Sequence, residues 1–281
     1  MSFQPALPIG GYAGWRFLNR TMETQQAAFA RSPTLQRDTA HFREAIGKID
    51  TPEQLVSDRR LLRVALGAFG LQDDINNRFF IRKVLEDGTL DPGALANRLA
   101  DKRYAEFSRA FGFDLGTPRS KLSDFGDRIV RAYETRQFEI AVGDRDENLR
   151  LALTLRRELA DIAGRDSGER TKWFTVLGNP PLRKAFETAF GLPMGFGALD
   201  LDRQVAVMQE RTRAAFGEAS LEQFADPDRM EAMVRRTLLR ADIATAGAFG
   251  GPTGAAGGSA ALQLLQSAGP IAPLRAGIFG R

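Results

Sequence analysis

The chain has 281 residues, 43% of them hydrophobic, with 39 basic against 35 acidic side chains, one histidine and no cysteine. That apolar content supports a sizeable core and excludes a disordered chain, and the missing cysteine excludes disulfides, cysteine zinc sites and thiol nucleophiles. The formal net charge of +4 is close to balance and the charges are interspersed, which reads as a solvated helical surface rather than the basic stripe of a nucleic-acid binder.

Residues 1–14, rich in Pro and Gly, are predicted to form an irregular lead, with Gly10, Gly11 and Gly14 able to take φ > 0. A helix is predicted from about Trp15 to Arg31, and a second one, after Pro33, to Ile46. Trp15, Leu18, Met22 and Phe29 fall on one helical stripe. Thr51-Pro-Glu-Gln54 is a strong start signal, with Thr as cap, Pro at the first helical position and Gln54 placed to reach back. Asp73-Asp74 open a predicted helix that carries Ile75, Phe79, Phe80, Val84 and Leu85 and ends at Gly88. Asp91-Pro92 opens another, with Leu95 and Leu99 four apart. A long helix is predicted over about 119–142 on the stripe Leu122, Phe125, Ile129 and Tyr133. Asp144 or Asp146 caps the next, through Leu149, Ala152, Leu155, Leu159 and Ile162, so that two long helices make an αα-hairpin about Gly143. A helix around Trp173–Leu177, a loop over Pro193–Gly197, a seam of Leu201, Val205, Met208, Thr212 and Phe216, and a last helix over about 227–246 complete the body.

One helix-length phrase is written three times. Asp58 leads to Phe69-Gly70-Leu71, Asp101 to Phe111-Gly112-Phe113, and Asn179 to Phe190-Gly191-Leu192, with 12, 11 and 12 residues from cap to glycine. Asp or Asn caps the start of such a helix, and Gly past its end supplies the left-handed residue that closes the last turn. Ser220-Leu-Glu-Gln223 also repeats the Thr51 start at an offset of 169. Duplication of a helical module and simple reuse of the same caps both account for this.

The alternation of a half-buried strand never lasts six residues, and Val and Ile are sparse. The predicted fold class is therefore all-α, a multi-helix array of short capped helices and longer αα-hairpins. The expected organisation is a lead of 1–14, a helical domain of 15–247 with subdomains 15–117 and 118–247, and a flexible apolar tail of 248–281. In that tail Gly250 to Gly258 read as a link, followed by Leu262, Leu264, Leu265, Ile271, Leu274, Ile278 and Phe279. Disordered tails are normally polar and charged, so these seven residues are expected to bind a protein partner or fold back.

No constellation for catalysis, cofactor or metal emerges. His41 has no second histidine or cysteine to share a zinc ion, and no Gly-x-Ser-x-Gly elbow accompanies it. Asp73-Asp74, Asp144 with Asp146-Glu147, and Asp200 with Asp202 all sit at helix starts, where capping explains them. The glycine clusters complete neither a Walker lysine nor a dinucleotide fingerprint. The Phe-Gly pairs read as core anchors with caps. No apolar run is long enough to span a membrane, and the N-terminus carries no secretory signal.

The stretch Ile49 to Phe113 resembles the DUF1217 family, found in alphaproteobacterial flagellar gene clusters. The resemblance rests on Leu61-Leu-Arg-Val-Ala-Leu-Gly-Ala-Phe-Gly-Leu71, Phe80-Ile-Arg-Lys-Val-Leu85 and, most specifically, Ala96-Asn-Arg-Leu-Ala-Asp-Lys-Arg-Tyr104, and it fades by about residue 245. It implies helical architecture and a flagellar context, and it transfers no catalytic residue. The resulting expectation is a non-enzymatic structural or assembly protein of the flagellum. Its partners would be basal-body, rod or export proteins, and its location either cytoplasmic or reached by the flagellar secretion route. A cytoplasmic adaptor or chaperone is the alternative, and a nucleic-acid binder a more distant one.

Overall fold

The computed structural model describes residues 4–249, with side chains up to residue 245. Helices follow one another as α1 Gly11–Ala30, α2 Pro33–Ala45, α3 Pro52–Ser57, α4 Arg59–Phe69, α5 Arg78–Asp87, α6 Leu95–Arg98 and α7 Arg103–Phe111. They continue as α8 Phe125–Gly143, α9 Glu147–Ala163, α10 Glu169–Leu177, α11 Pro180–Phe190, α12 Leu201–Phe216 and α13 Pro227–Phe249. Short 3-10 turns punctuate them, and no strand occurs among the described residues. The fold is all-α. The seven tail residues from Leu262 to Phe279 lie outside the described residues.

The described chain divides into two units, residues up to Arg150 with Gly178–Pro180, and Leu151–Leu177 with the residues from Pro181 on. That division falls inside α9, further along the chain than residue 117.

In the first unit the caps at Thr51 and Asp58 form as written, whereas the predicted cap Asp101 accepts from the Arg103 amide alone among the backbone amides and Lys102 stands at the start of α7. Thr51 and Gln54 make a capping box. Asp58 accepts from the amides of Arg60 and Leu61 at 2.8 and 3.0 Å and starts α4. Gly70, at φ 71°, ends it, with the Leu71 amide bonded back to the Leu66 oxygen. The buried face of α4 packs chiefly on α8, and the approach is close because Gly67 has no side chain. A Cβ there would stand 2.6 Å from the Tyr133 ring. Below this crossing Phe107, Phe111 and Phe125 form a chain of rings with centroids 5.0 and 5.1 Å apart.

The described part of the lead is pinned at two points. The Gln25 amide exchanges two hydrogen bonds with the backbone of Ala6, at 2.8 and 3.2 Å. Gly14 lies against the Ile9 carbonyl, where a Cβ would stand 2.1 Å from the oxygen. Helix α1 therefore starts at Gly11, four residues before the predicted Trp15.

Four sequence expectations are corrected here. Asp73-Asp74 do not open α5. They form a 3-10 turn, because the Asp74 carboxylate is taken up by the Asn77 side chain and the Tyr104 hydroxyl. Phe79 leaves the predicted stripe and is 74% exposed, its ring under the Arg82 guanidinium, while Ile81, Val84 and Leu85 make the buried face. Asp91-Pro92 yields only a turn before the single-turn α6, because Asp91 Oδ1 closes on the Gly93 amide at 2.8 Å. The helix expected from about 119 starts at Phe125, after a 3-10 turn at Arg119–Lys121, and leaves Leu122 exposed.

In the second unit α10 packs against α12, and the 3-10 turn Leu221–Ala225 against α13. Trp173 meets Phe186 edge to face at 5.6 Å, and Phe216 meets Phe224 at 5.3 Å. Lys172 is 1% exposed. Its ammonium donates to Glu222 at 2.7 Å and to the Ala163 oxygen at 3.3 Å, so a buried cation ties three segments at one point. Ser220 does not repeat the Thr51 capping box: its hydroxyl accepts from the Glu222 amide and donates to Glu169. What does recur is the order of elements, a short capped turn and then an Asp cap. Asp226 accepts from the amides of Asp228 and Arg229 as Asp58 does from Arg60 and Leu61, one residue out of the offset of 169.

Candidate functional site

The titratable groups singled out by the sequence are dispersed among helix ends. The His41 Nε2 meets Asp58 Oδ2 at 2.7 Å, the same carboxyl that caps α4. Burial would lift the pKa of Asp58, but hydrogen bonds from the Leu61 amide, His41 and the Arg60 amide outweigh it and hold the carboxyl below its ordinary range. Asp146 caps α9 through the amides of Asn148 and Leu149. Asp200 caps α12 through the Arg203 amide, and Asp202 pairs with Arg170 at 2.8 Å. Among the described residues no three His, Cys, Asp or Glu side chains converge as a metal site would require. Burial, and then the Asp74 carboxylate, raise the pKa of the Tyr104 hydroxyl far above its usual value, so it stays protonated near neutrality and donates to Asp74.

Arginines serve helix ends in the same way. Arg236, beside Arg235 on α13, donates to the Ala189 oxygen at 3.0 Å and covers the Phe190 ring at 5.7 Å. Arg229 donates to the Phe216 oxygen at 2.7 Å. The three Phe-Gly pairs end α4, α7 and α11, each with its glycine at positive φ.

Two surfaces remain as candidates for recognition. In the first unit a cleft of about 360 Å³ lies between α1 and α8, lined by Glu23, Gln26, Ala27, Phe29, Ala30, Arg131, Glu134 and Thr135. Burial raises the pKa of Glu134 against the opposing pull of Arg43 and Arg131. Its lining mixes both signs of charge and selects no ligand class.

The second surface is the connection from α11 to α12. Met194 is 104% exposed, Leu199 42% and Leu201 59%, and these are the exposed large hydrophobic residues of the second unit among those described. Their backbone is held at several points. Gly191, at φ 61°, turns the chain out of α11 with the Leu192 amide bonded to the Glu187 oxygen. Phe196 is buried beneath the 3-10 turn Met194–Ala198. The Gln204 amide donates to the oxygens of Leu199 and Gly197 at 2.7 and 3.3 Å, and Asp200 starts α12. Apolar side chains on a fixed backbone lose little entropy on docking.

The sequence placed Leu201 in the α12 seam and read Pro193–Gly197 only as a loop. Val205, Met208, Thr212 and Phe216 are buried as expected, while Leu201, the first helical residue after the Asp200 cap, faces out. Its position between Asp200 and Asp202 was the available signal.

No helix among the described residues is long and apolar enough to cross a membrane. No curated protein matches the sequence significantly. The structure is similar to the crystal structure of a structural-genomics target protein from Agrobacterium tumefaciens, with a TM-score of 0.69, 25% sequence identity, and coverage of 84% of this chain and 97% of that one. The family described as a protein of unknown function, DUF1217, matches residues 68–230, more than half of the length, and the chain belongs to that family.

Proposed function

We propose that this protein is a non-enzymatic structural or assembly component that works by apolar contact with other proteins in a flagellar setting. The observation that carries the contact reading is the α11–α12 connection, where Met194, Leu199 and Leu201 are exposed on a backbone anchored by Phe196 and Gln204. The apolar sequence from Leu262 to Phe279 supports it, since from residue 251 onward only Arg275 and Arg281 carry side-chain charge. The use of His41, Asp58, Asp146, Asp200 and Arg236 at helix ends supports a scaffold role for groups that chemistry would otherwise employ. The flagellar setting follows from the family resemblance.

The test is a strain whose protein lacks residues 250–281. The purified truncated protein is expected to keep its helical circular dichroism, while flagellar association and motility are lost. Normal motility and filaments in that strain overturn the proposal. Recovery of the full-length protein in purified basal bodies supports an axial or assembly role, and recovery only in the cytosol favours the adaptor alternative.

A further inference from the structure

Helix α13 passes the end of α11, where the exposed connection begins. A Cβ built at Gly191, where that connection leaves α11, would stand 3.8 Å from Arg240 Nη1. One turn earlier Arg236 donates to Ala189. From Arg240 the helix continues nine residues to Phe249, about 14 Å of axis. Residues 250–261, all Gly, Ala, Ser, Pro or Thr, then lead to Leu262, Leu264 and Leu265. A link of that composition spans roughly 20 Å root-mean-square, enough to return along the helix to Gly191.

We infer that Met194, Leu199 and Leu201 are the docking surface for the Leu262–Leu265 segment of the same chain, seated intramolecularly. The inference rests on the reading of this protein as one that works by apolar contact, and it makes the chain itself the first occupant of its own exposed surface. Three observations favour this occupant. The segment is apolar where the surface is apolar. From residue 250 onward the sequence has no acidic side chain, so no side chain in it is repelled by Asp200 and Asp202, the exposed carboxylates on either side of Leu201. The short link holds the segment at an effective concentration on the order of millimolar, far above that of a free partner at micromolar level. A partner protein therefore has to displace the tail, and both apolar elements become available together when it does.

The absence of cysteine allows a direct test in the full chain. Gly195→Cys, at an exposed position where a Cβ would meet no atom within 4 Å, is combined with Gln263→Cys, and together they leave Met194, Leu199, Leu201 and the three leucines of the segment intact. Oxidation of the dilute purified protein is expected to give an intramolecular disulfide, seen as a faster monomer on a non-reducing gel. Its yield is expected to fall about tenfold when Leu262, Leu264 and Leu265 are changed to Ser, and similarly with Leu199→Ser and Leu201→Ser on the opposite side. Circular dichroism of each variant establishes that the body is folded. A yield unchanged by either set of serines means mere tethered collision and overturns the inference. So does a disulfide found only between two chains, which would make a second copy the occupant, and so does no disulfide at all. The assay uses no partner, so its outcome is independent of flagellar association, and the fractionation result in cells does not decide it.

Discussion

The Nε of Arg136 donates to the main-chain oxygen of Ala68, 2.7 Å away, one residue before the Phe69-Gly70 end of α4. Arg236 makes the same bond to Ala189, one residue before Phe190-Gly191 at the end of α11. Both ends close alike, Leu71 onto Leu66 and Leu192 onto Glu187, each at 2.9 Å. Two of the three copies of the phrase thus share a three-dimensional motif, with an arginine from a longer helix satisfying one of the carbonyls that a helix end leaves free, while the copy that starts at Asp101 closes through the Gly112 amide on the Ser108 oxygen.

Arg136→Met is expected to lower stability by about 1–2 kcal/mol, the usual cost of leaving a part-buried carbonyl without its charged donor. Arg236→Met should cost less. Burial lowers the pKa of Arg236 and the neighbouring Arg240 lowers it further, so methionine relieves desolvation and like-charge repulsion while losing the bond. Urea unfolding of the two variants checks the order, and an equal or larger loss at Arg236 contradicts it.

Gly67→Ala separates helix propensity from packing. Alanine improves an isolated helix by about 1 kcal/mol over glycine. At this position the new methyl would stand 2.6 and 2.7 Å from Tyr133 ring atoms, and overpacking of that kind costs about 1–3 kcal/mol. The net result is expected to be destabilising, with Gly67→Ala in a Tyr133→Leu background less harmful than in the parent. A thermal melt of the four proteins of this cycle measures the coupling.

Lys172 and Glu222 should respond unequally. Glu222→Ala leaves an ammonium that is 1% exposed with only the Ala163 oxygen and a carboxylate of Glu169 4.0 Å away, and is expected to cost about 2–3 kcal/mol. Lys172→Met removes the buried charge and returns Glu222, 64% exposed already, to solvent, at about 1 kcal/mol. Chemical denaturation of both variants tests this, and a larger loss for Lys172→Met would refute it.

Acid sensitivity should reside partly at Asp58. Its folded-state pKa lies below the unfolded value, so the stabilisation is fully present above the ordinary carboxylate range and is lost as pH falls through the depressed folded value. The urea midpoint is expected to drop below about pH 4. Asp58→Asn, which retains a capping oxygen, should flatten that part of the curve. An unchanged pH profile in the variant would show that His41 and the two amides do not hold the carboxyl in its charged form.

Much of this fold was legible because its instructions are local. The partners of Thr51, Asp58 and Asp200 at the helix starts lie within a few residues of the cap, and Gly70 and Gly191 each close a turn on the four residues before them. A backbone bond that short needs no knowledge of the rest of the chain. The candidate surface was legible only in part: Pro193 to Gly197 read as a loop, but nothing within it says that Phe196 turns inward and Met194 outward. That depends on Gln204 reaching back to Leu199 and Gly197, and on the core that receives the phenylalanine.

The amino-acid sequence by itself determined that this protein is all-α, where most of its helices stop, and that it has no cysteine with which to bind metal or form a disulfide. Only the tertiary structure decided that Phe79, Leu122 and Leu201 leave their stripes for solvent, that Lys172 is buried, and that Gln25 and Arg136 hold backbone far from them in the chain. The physical reason is range. Caps and left-handed glycines are settled by neighbours in sequence, whereas burial of a side chain is settled by whichever distant helix covers it, and that information is spread over the whole packed unit.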